Sequence, residues 1–155
     1  AMSLLHLATT EDRTRLLSMV EQFHHWGGLD TDASTREAAI DLLFSGEVQA
    51  AAWLIGPKKS PVGYIVVSFG FSIELGGRDA FIDEFFVREN VRGRGMGTEV
   101  LHALMRQLAE TGLMALHLEV DRDNPRAQAM YERGGFKLRD KYQLMTWLAQ
   151  PAENA

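Results

Sequence analysis

Three glycines that alternate with longer side chains make the segment 92–97 the strongest candidate for binding chemistry in this chain. The segment consists of Arg92, Gly93, Arg94, Gly95, Met96 and Gly97. It lies between a strand-like run, 81–87, and a helix-like run, 98–110. Alternating glycines free the backbone to curl, so consecutive N–H groups can point at one anion, and the helix that follows adds the positive end of its dipole. The spacing therefore predicts a phosphate-binding loop.

Two common nucleotide-binding loops do not fit this spacing. A P-loop ends in Gly-Lys-Ser or Gly-Lys-Thr, whereas Thr98 follows Gly97 directly and no lysine stands between them. A dinucleotide-binding fingerprint needs its third glycine where Thr98 stands, and it usually opens a domain. The segment fits the pattern Arg-x-x-Gly-x-Gly instead. A tight strand-to-helix turn with two solvated arginines is the alternative for the same residues.

A second motif lies about thirty residues further along the chain. Asn124 followed by Pro125 is typical of a helix N-cap and first turn, and Gly134-Gly135 predicts the end of that helix. The segment 124–136 has the pattern Asn-x-x-Ala-x-x-x-Tyr-Glu-x-x-Gly-Phe. The residues that form it are Asn124, Ala127, Tyr131, Glu132, Gly135 and Phe136.

In this order, the two motifs resemble the signatures of the GNAT superfamily of acetyl-CoA-dependent N-acetyltransferases. The resemblance implies acetyl-CoA as co-substrate, no metal, and a sheet whose strands splay apart at the cofactor site. The stretch 82–101 is also similar to diamine acetyltransferases. The cofactor-binding residues that the resemblance implies are Phe86, Val87, Arg92, Gly93, Arg94, Gly95, Met96, Gly97, Thr98, Asn124, Ala127 and Tyr131.

Acyl transfer to an amine requires that the thioester be held still, that the attacking ammonium lose a proton and that the departing thiolate be protonated. The resemblance places the phenol of Tyr131 close to the thioester sulfur. A phenol with a pKa near its ordinary value of about 10 is protonated at neutral pH and can act as the acid. The alternative for Tyr131 is an aromatic side chain that packs in the core or at its rim.

The resemblance also implies a carboxylate base on the strand that leads into the glycine loop, which points to Glu84. Strand alternation predicts that Glu84 shares a face with Ile82 and Phe86, with Asp83 opposite. Glu119, on the next strand, is the rival base. Water, His117 or no base at all remain open alternatives.

The acceptor site is predicted to border the segment 24–32, which is long for a connector between two helices. The resemblance implies that Trp26 forms a wall of the acceptor pocket and that Asp30 or Asp32 attracts a cationic amine, with Glu84 also contacting it. The alternative is a solvated loop that Trp26 pins to the core.

Apolar periodicity and turn residues predict the elements that position these groups. The predicted strands are 3–8, 48–55, 62–71, a strand ending at 87, 115–120 and 137–148. Predicted helices run from about 9 to 25, from a capping box at Ser34-Thr35-Arg36-Glu37 to Gly46, from 98 to 110 and from 124 to about 132. The order β-α-α-β-β-β-α-β-α-β predicts a mixed α/β fold, and it matches the mostly antiparallel GNAT fold.

Composition narrows the class of protein. The chain has 155 residues, 46% of them hydrophobic, which suits a single domain over 3–150. It has no cysteine, so no thiolate can carry an acyl group, and its formal charge of −5 argues against nucleic acid as a partner. We expect no membrane partner and a cytoplasmic location, because no run approaches about 18 apolar residues and no signal-peptide pattern opens the chain.

The sequence therefore predicts an N-acetyltransferase that moves an acetyl group from acetyl-CoA to a primary amine by direct transfer in a ternary complex. One alternative is a non-catalytic acyl-CoA-binding sensor or regulatory module on the same fold. Another is a protein N-terminal acetyltransferase, which would have an open groove and depend on Glu119. A homodimer is also open, since the apolar stretch 142–148 could supply a strand edge.

Overall fold

The computed structural model describes residues 4–93 and 95–149. Single 3-10 turns precede the first helix, at Thr10–Asp12, and follow the fourth strand, at Glu89–Val91. The strands and helices are β1 (Leu5–Leu7), α1 (Arg13–Trp26), α2 (Ala33–Phe44), β2 (Ala50–Ile55), β3 (Gly63–Ser72), β4 (Gly77–Val87), α3 (Met96–Glu110), β5 (Ala115–Leu118) and α4 (Pro125–Arg133).

The five strands form one sheet in the order β1-β2-β3-β4-β5. The first four are antiparallel neighbours, and β5 runs parallel to β4 after the crossover through α3. This arrangement confirms the predicted mixed α/β class. The β4–β5 register ends at Ile82 opposite Leu118, whereas β4 continues to Val87. Over 83–87 the β5-facing edge of β4 is therefore open within the described chain, as the expected splay requires.

Each face of the sheet buries its own core. On one face, the apolar side of α3 packs on side chains of β2, β3 and β4; the fully buried members include Ile55, Ile65, Val67, Leu101 and Leu104. On the other face, α1 and α2 pack on the alternate residues of the same strands. That second core includes Leu16, Met19, Ile40, Leu54, Tyr64 and Phe86.

A β-bulge at Asp83 changes the face on which the following residues of β4 lie. Val67 pairs with Ile82 and Val66 with Glu84, so Asp83 is an extra residue in β4. Ile82 belongs to the α3-side core and Phe86 to the α1–α2-side core. The prediction that Glu84 shares a face with both was therefore wrong, because simple alternation fails across a bulge. Glu84 lies on the α1–α2 face.

Two predicted element boundaries also differ from the structure. Helix α2 begins at Ala33, one residue before the predicted capping box, because its N-cap is Asp32, which accepts a hydrogen bond from the Thr35 amide at 2.7 Å. The final strand predicted over 137–148 is absent, since none of the residues 137–149 is in a strand. The charged residues that interrupt its apolar pattern form a turn instead, in which the Tyr142 amide donates to Arg139 O. Apolar side chains there remain exposed, with Met145 at 92% and Trp147 at 87%.

The described helices include none that is both long enough and apolar enough to cross a bilayer.

Candidate active site

The glycine loop is built to present backbone amides at the start of α3. Gly93 and Gly95 have φ of +79° and +77°, a left-handed conformation that side-chain-bearing residues rarely adopt. Gly95 is the N-cap of α3, and the first helical hydrogen bond runs from the Glu99 amide to Gly95 O at 3.2 Å. The backbone amides that precede Glu99 in the first turn therefore have no hydrogen-bond partner within the helix, so they can bind an anion. Arg94 lies outside the described residues.

Gly97 brings the loop close to α4. A Cβ placed on Gly97 would lie 3.1 Å from the sulfur of Met130. The absence of a side chain at Gly97 therefore lets the first turn of α3 approach the helix that carries the second sequence motif.

Arg92 ties the glycine loop to two other elements. Its Nε donates to the carbonyl of Val87 at 2.6 Å, and its guanidinium carbon lies 3.9 Å from the centroid of the Trp26 ring. The loop, the end of β4 and the end of α1 are therefore held together. Trp26 is 62% exposed and lies at the end of α1, against the glycine loop.

The end of β4 presents main-chain groups along its open edge. The Arg88 amide donates to Val62 O at 2.7 Å, toward β3. Because successive residues of a strand point their N–H and C=O groups to opposite edges, those of Val87 point toward the β5 side. The carbonyl of Val87 accepts the hydrogen bond from Arg92 Nε. The Phe86 ring is buried in the α1–α2 core, so its side chain is not available to a cofactor.

Glu84 is the centre of a polar network on the α1–α2 face. Tyr64 Oη donates to its Oε1 at 2.8 Å, and His24 Nε2 lies 2.5 Å from its Oε2. The other nitrogen of His24 lies 2.6 Å from Thr31 Oγ1. Burial and the neighbouring Glu84 charge raise the pKa of the Tyr64 phenol far above its ordinary value, so Tyr64 remains a hydrogen-bond donor. Each oxygen of Glu84 still has a lone pair for a substrate, because a carboxylate oxygen can accept two hydrogen bonds.

Sequence reasoning missed Tyr64 and His24 as functional residues. Tyr64 lies in a strand of apolar residues. The feature of the sequence that points to it is its hydroxyl, which needs a hydrogen-bond partner when it is buried. The helix predicted to about residue 25 contains His24, but helical spacing alone does not show which strand residue it meets; in the structure His24 lies one turn beyond Val20 and contacts Glu84.

A cleft of about 250 Å³ opens beside Glu84, between α1, α2 and the sheet. Its lining includes His24, Thr31 and Arg36 from the helical side and Asp83 from β4. The Arg36 Nη1 donates to the backbone carbonyl of Thr31 at 2.5 Å. The network of Glu84 is therefore one wall of this cleft.

Two residues predicted for the acceptor site lie elsewhere in the described structure. Neither Trp26 nor Asp30 is among the described residues that line the cleft, and Asp30 is exposed. Asp32 caps α2, and hydrogen bonds from the Thr35 amide and nearby hydroxyls lower the pKa of its carboxyl. Glu84 therefore lines the cleft, whereas Trp26 contacts the glycine loop through Arg92.

The second sequence motif forms α4 as predicted. The Asn124 side chain accepts a hydrogen bond from the Ala127 amide at 3.1 Å, and Pro125 occupies the first turn. Tyr131 packs edge-on against Phe136, with 5.9 Å between ring centroids. Burial raises the pKa of the Tyr131 phenol above its ordinary value.

His117 lies in β5 and Glu119 directly follows that strand, both away from the Glu84 network. Glu119 is exposed just after the strand and lines the same groove as Tyr131, which has a volume of about 1300 Å³. His117 lies 3.2 Å from the carboxylate of Asp79. Within residues 4–93 and 95–149, no group of three or more His, Asp or Glu side chains is arranged to hold a metal ion.

Comparisons with known proteins point to one family. A family model described as the acetyltransferase (GNAT) family matches residues 11–136. Over 58 residues the chain is 34% identical to the spermine/spermidine N(1)-acetyltransferase of Bacillus subtilis (strain 168). That match covers 37% of this chain and 38% of the relative.

Solved structures share the fold over nearly the whole chain. An integron cassette protein from the mobile metagenome of Cole Harbour Salt Marsh is 30% identical, with a TM-score of 0.81, over 96% of this chain and 92% of that one. The ribosomal-protein-alanine N-acetyltransferase of Brucella melitensis biovar Abortus 2308 has a TM-score of 0.71 over 96% and 98% of the two chains. Its 15% identity is evidence for the fold alone.

Proposed function

The chain belongs to the acetyltransferase (GNAT) family, and we propose that it moves an acetyl group from acetyl-CoA to a primary amine by direct transfer in a ternary complex. One observation supports this most: the open edge of β4 over 83–87 leads from the carboxylate of Glu84 directly to the glycine loop. A donor held at the loop and an amine held at Glu84 would then meet beside this edge. The acetyl carbon would leave sulfur for nitrogen, with one proton lost from the ammonium and one gained by the thiolate.

The residues at the donor site fit a coenzyme A pyrophosphate. The leftover amides at the start of α3 and the helix dipole favour an anion, and Gly93 and Gly95 allow the backbone to turn toward it. The Val87 N–H lies on the open edge and is suited to donate a hydrogen bond to an amide carbonyl in the arm of coenzyme A. Bound acetyl-CoA supplies an activated acetyl thioester.

Glu84 is our candidate for the base that accepts the ammonium proton. It faces the cleft, and its carboxylate is held in one orientation because it accepts hydrogen bonds from Tyr64 and His24. A base must lie within hydrogen-bond reach of the proton that it removes, and the cleft provides room for an amine at that distance.

Tyr131 is our candidate for the acid that protonates the departing thiolate. The raised pKa of its phenol keeps the proton on the oxygen at neutral and moderately alkaline pH. Tyr131 belongs to α4, which Gly97 allows close to the glycine loop. This position suits a donor-side acid.

A second candidate function, N-terminal acetylation of proteins, is supported by the groove that Glu119 and Tyr131 share. At about 1300 Å³, the groove has room for an extended peptide. The two functions use different carboxylates, so they can be separated by mutation. The homodimer and the cytoplasmic location expected from the sequence stay predictions.

Glu84→Gln tests the proposed base. Glutamine keeps the shape, accepts the hydrogen bond of Tyr64 and can satisfy His24 through the other tautomer. We expect kcat/KM to fall about 100-fold or more, because a general base contributes about 10²–10⁴-fold. Thiol release from acetyl-CoA should be followed as a function of pH with amine acceptors.

Glu119→Gln is the matched control. With amine acceptors it should keep the activity and the acidic limb of the pH–rate profile, whereas Glu84→Gln should lose that limb. A loss confined to Glu119→Gln, with peptides as the preferred acceptors, would favour the second candidate. Tight binding of acetyl-CoA without turnover of any acceptor would favour the sensor.

A further inference from the structure

We propose that the acceptor is a small primary amine with one positive charge on an apolar body, and that it binds in the cleft beside Glu84. This inference rests on the proposed acetyl transfer and adds the class of substrate to it. It excludes polyamines as preferred acceptors, even though the stretch 82–101 resembles diamine acetyltransferases.

The size of the cleft favours a small acceptor. Its volume of about 250 Å³ lies below the roughly 300–1,000 Å³ of pockets for drug-sized ligands. Glu84, whose side chain is 18% exposed, lies in the wall, so an ammonium could reach its carboxylate while the rest of the molecule lies in the cleft.

Most of the other residues that line the cleft are apolar. They come from α1, α2, the turn before β2 and the strand β3, and they include Val20, Ile40, Leu43, Val48 and Val66. An apolar body gains free energy there by leaving water. A second ammonium placed against the same walls would lose its hydration without gaining a partner, which is costly.

The charges in the cleft distinguish its two ends. Asp83 and Glu84 provide negative charge at the β4 end, where the reacting ammonium would bind. Further along the helical wall, beyond His24 and Thr31, lies the guanidinium of Arg36, held by its hydrogen bond to Thr31. A distal ammonium would therefore meet a like charge, which further disfavours a diamine.

The similarity to diamine acetyltransferases does not conflict with this inference. The motif similarity lies in residues 82–101, which form the end of β4, the glycine loop and the start of α3. The match to the spermine/spermidine N(1)-acetyltransferase spans 58 residues, fewer than the stretch from Val20 to Glu84 over which the cleft lining is spread. Neither likeness therefore includes all the residues that line the cleft, and the motif similarity includes none from α1 or α2.

The decisive comparison is between hexylamine and 1,5-diaminopentane. The two molecules have equal length and the same number of non-hydrogen atoms, and they differ only in a terminal methyl group versus an ammonium. We expect kcat/KM for hexylamine to exceed that for 1,5-diaminopentane about 100-fold or more, because the second ammonium would lose its hydration against apolar walls without gaining a partner. Thiol release with saturating acetyl-CoA measures both.

Arg36→Glu tests the distal charge. Reversing this charge should lower the hexylamine preference at least about 10-fold, by raising turnover of the diamine. Arg106→Glu is the matched control: it makes the same charge change on the exposed surface of α3, on the other face of the sheet, and should leave the preference unchanged. Circular dichroism of each variant shows that it is folded.

The outcomes separate this inference from the proposed function. Equal or faster turnover of 1,5-diaminopentane or spermidine by the wild-type protein would overturn the apolar acceptor and leave acetyl transfer intact. An equal change of preference in Arg36→Glu and Arg106→Glu would overturn the role of the cleft. No turnover of any amine would overturn the proposed function and this inference with it.

Discussion

Individual side chains in the candidate site are held by contacts from several elements. Glu84 of β4 is hydrogen-bonded to Tyr64 of β3 and to His24 of α1. The other ring nitrogen of His24 forms a hydrogen bond with Thr31. A base held in this way loses little orientational freedom when it accepts a proton, and small errors in position are costly in catalysis. On the donor side, Tyr131 is kept in place by packing against Phe136.

Tyr131→Phe should lower kcat about 10- to 100-fold and leave the dissociation constant of acetyl-CoA nearly unchanged, because only the proton donor is removed. Because burial raises the pKa of the Tyr131 phenol above its ordinary value, the loss of wild-type activity that comes from its ionisation should begin at a higher pH than a free phenol would give. Single-turnover rates and calorimetric titration with acetyl-CoA measure the two effects.

Tyr142→Phe is the control for Tyr131→Phe. Tyr142 is 57% exposed and stacks on Arg139 at the surface, so kcat should not change. Equal rates for the wild type and Tyr131→Phe would remove the acid role from this phenol.

At the scale of elements, β4 and the start of α3 decide what the site can do. The bulge at Asp83 turns Glu84 toward α1 and α2, and the end of pairing at Ile82 opens the edge that follows. The glycine loop then leads the chain into α3 and leaves the amides before Glu99 without partners in the helix. One strand and one turn thus connect the Glu84 network to the glycine loop.

Gly95→Ala should destabilise the protein by about 1–2 kcal/mol, since a side chain disfavours the left-handed conformation. It should also weaken acetyl-CoA binding about 10-fold or more, because relief of that strain reorients the amides. Denaturant unfolding and calorimetric titration measure the two effects.

Gly112→Ala is the matched control for Gly95→Ala. Gly112 follows the end of α3, has φ of +87°, and has open space around its Cα, as Gly95 does. It should lose similar stability but keep full affinity for acetyl-CoA. Equal losses of affinity in the two variants would contradict the loop as the donor site.

At the scale of the whole molecule, the sheet separates two packed layers. The α3 side carries the glycine loop, and the α1–α2 side carries the cleft beside Glu84. Because β4 contributes to both cores, a ligand bound at the glycine loop should stabilise the fold as a unit.

Acetyl-CoA at 100 times its dissociation constant should therefore add about 2.7 kcal/mol to the free energy of unfolding. For a domain of this size, that corresponds to a rise in Tm of about 5–10 °C. Differential scanning fluorimetry measures the rise, and Gly95→Ala should show a much smaller one at the same concentration. An unchanged Tm in the wild type would contradict donor binding by the native protein.

The sequence by itself determined the glycine loop and α4. The glycine spacing of 92–97, the N-cap at Asn124 and the apolar periods of the strands and helices are local features, and each specifies its own backbone conformation. For that reason the order of elements up to α4, the glycine turn into α3 and the position of Tyr131 on α4 could be predicted.

Only the tertiary structure decided the surroundings of Glu84. The bulge at Asp83 depends on register with β3, and the contacts of Glu84 with His24 and Tyr64 join residues 60 and 20 positions apart. The segment 137–149 shows the same limit, because an apolar pattern forms a strand only where an edge pairs with it. Pairing and packing across the chain are not encoded in local spacing, and they are what place Glu84 in the cleft.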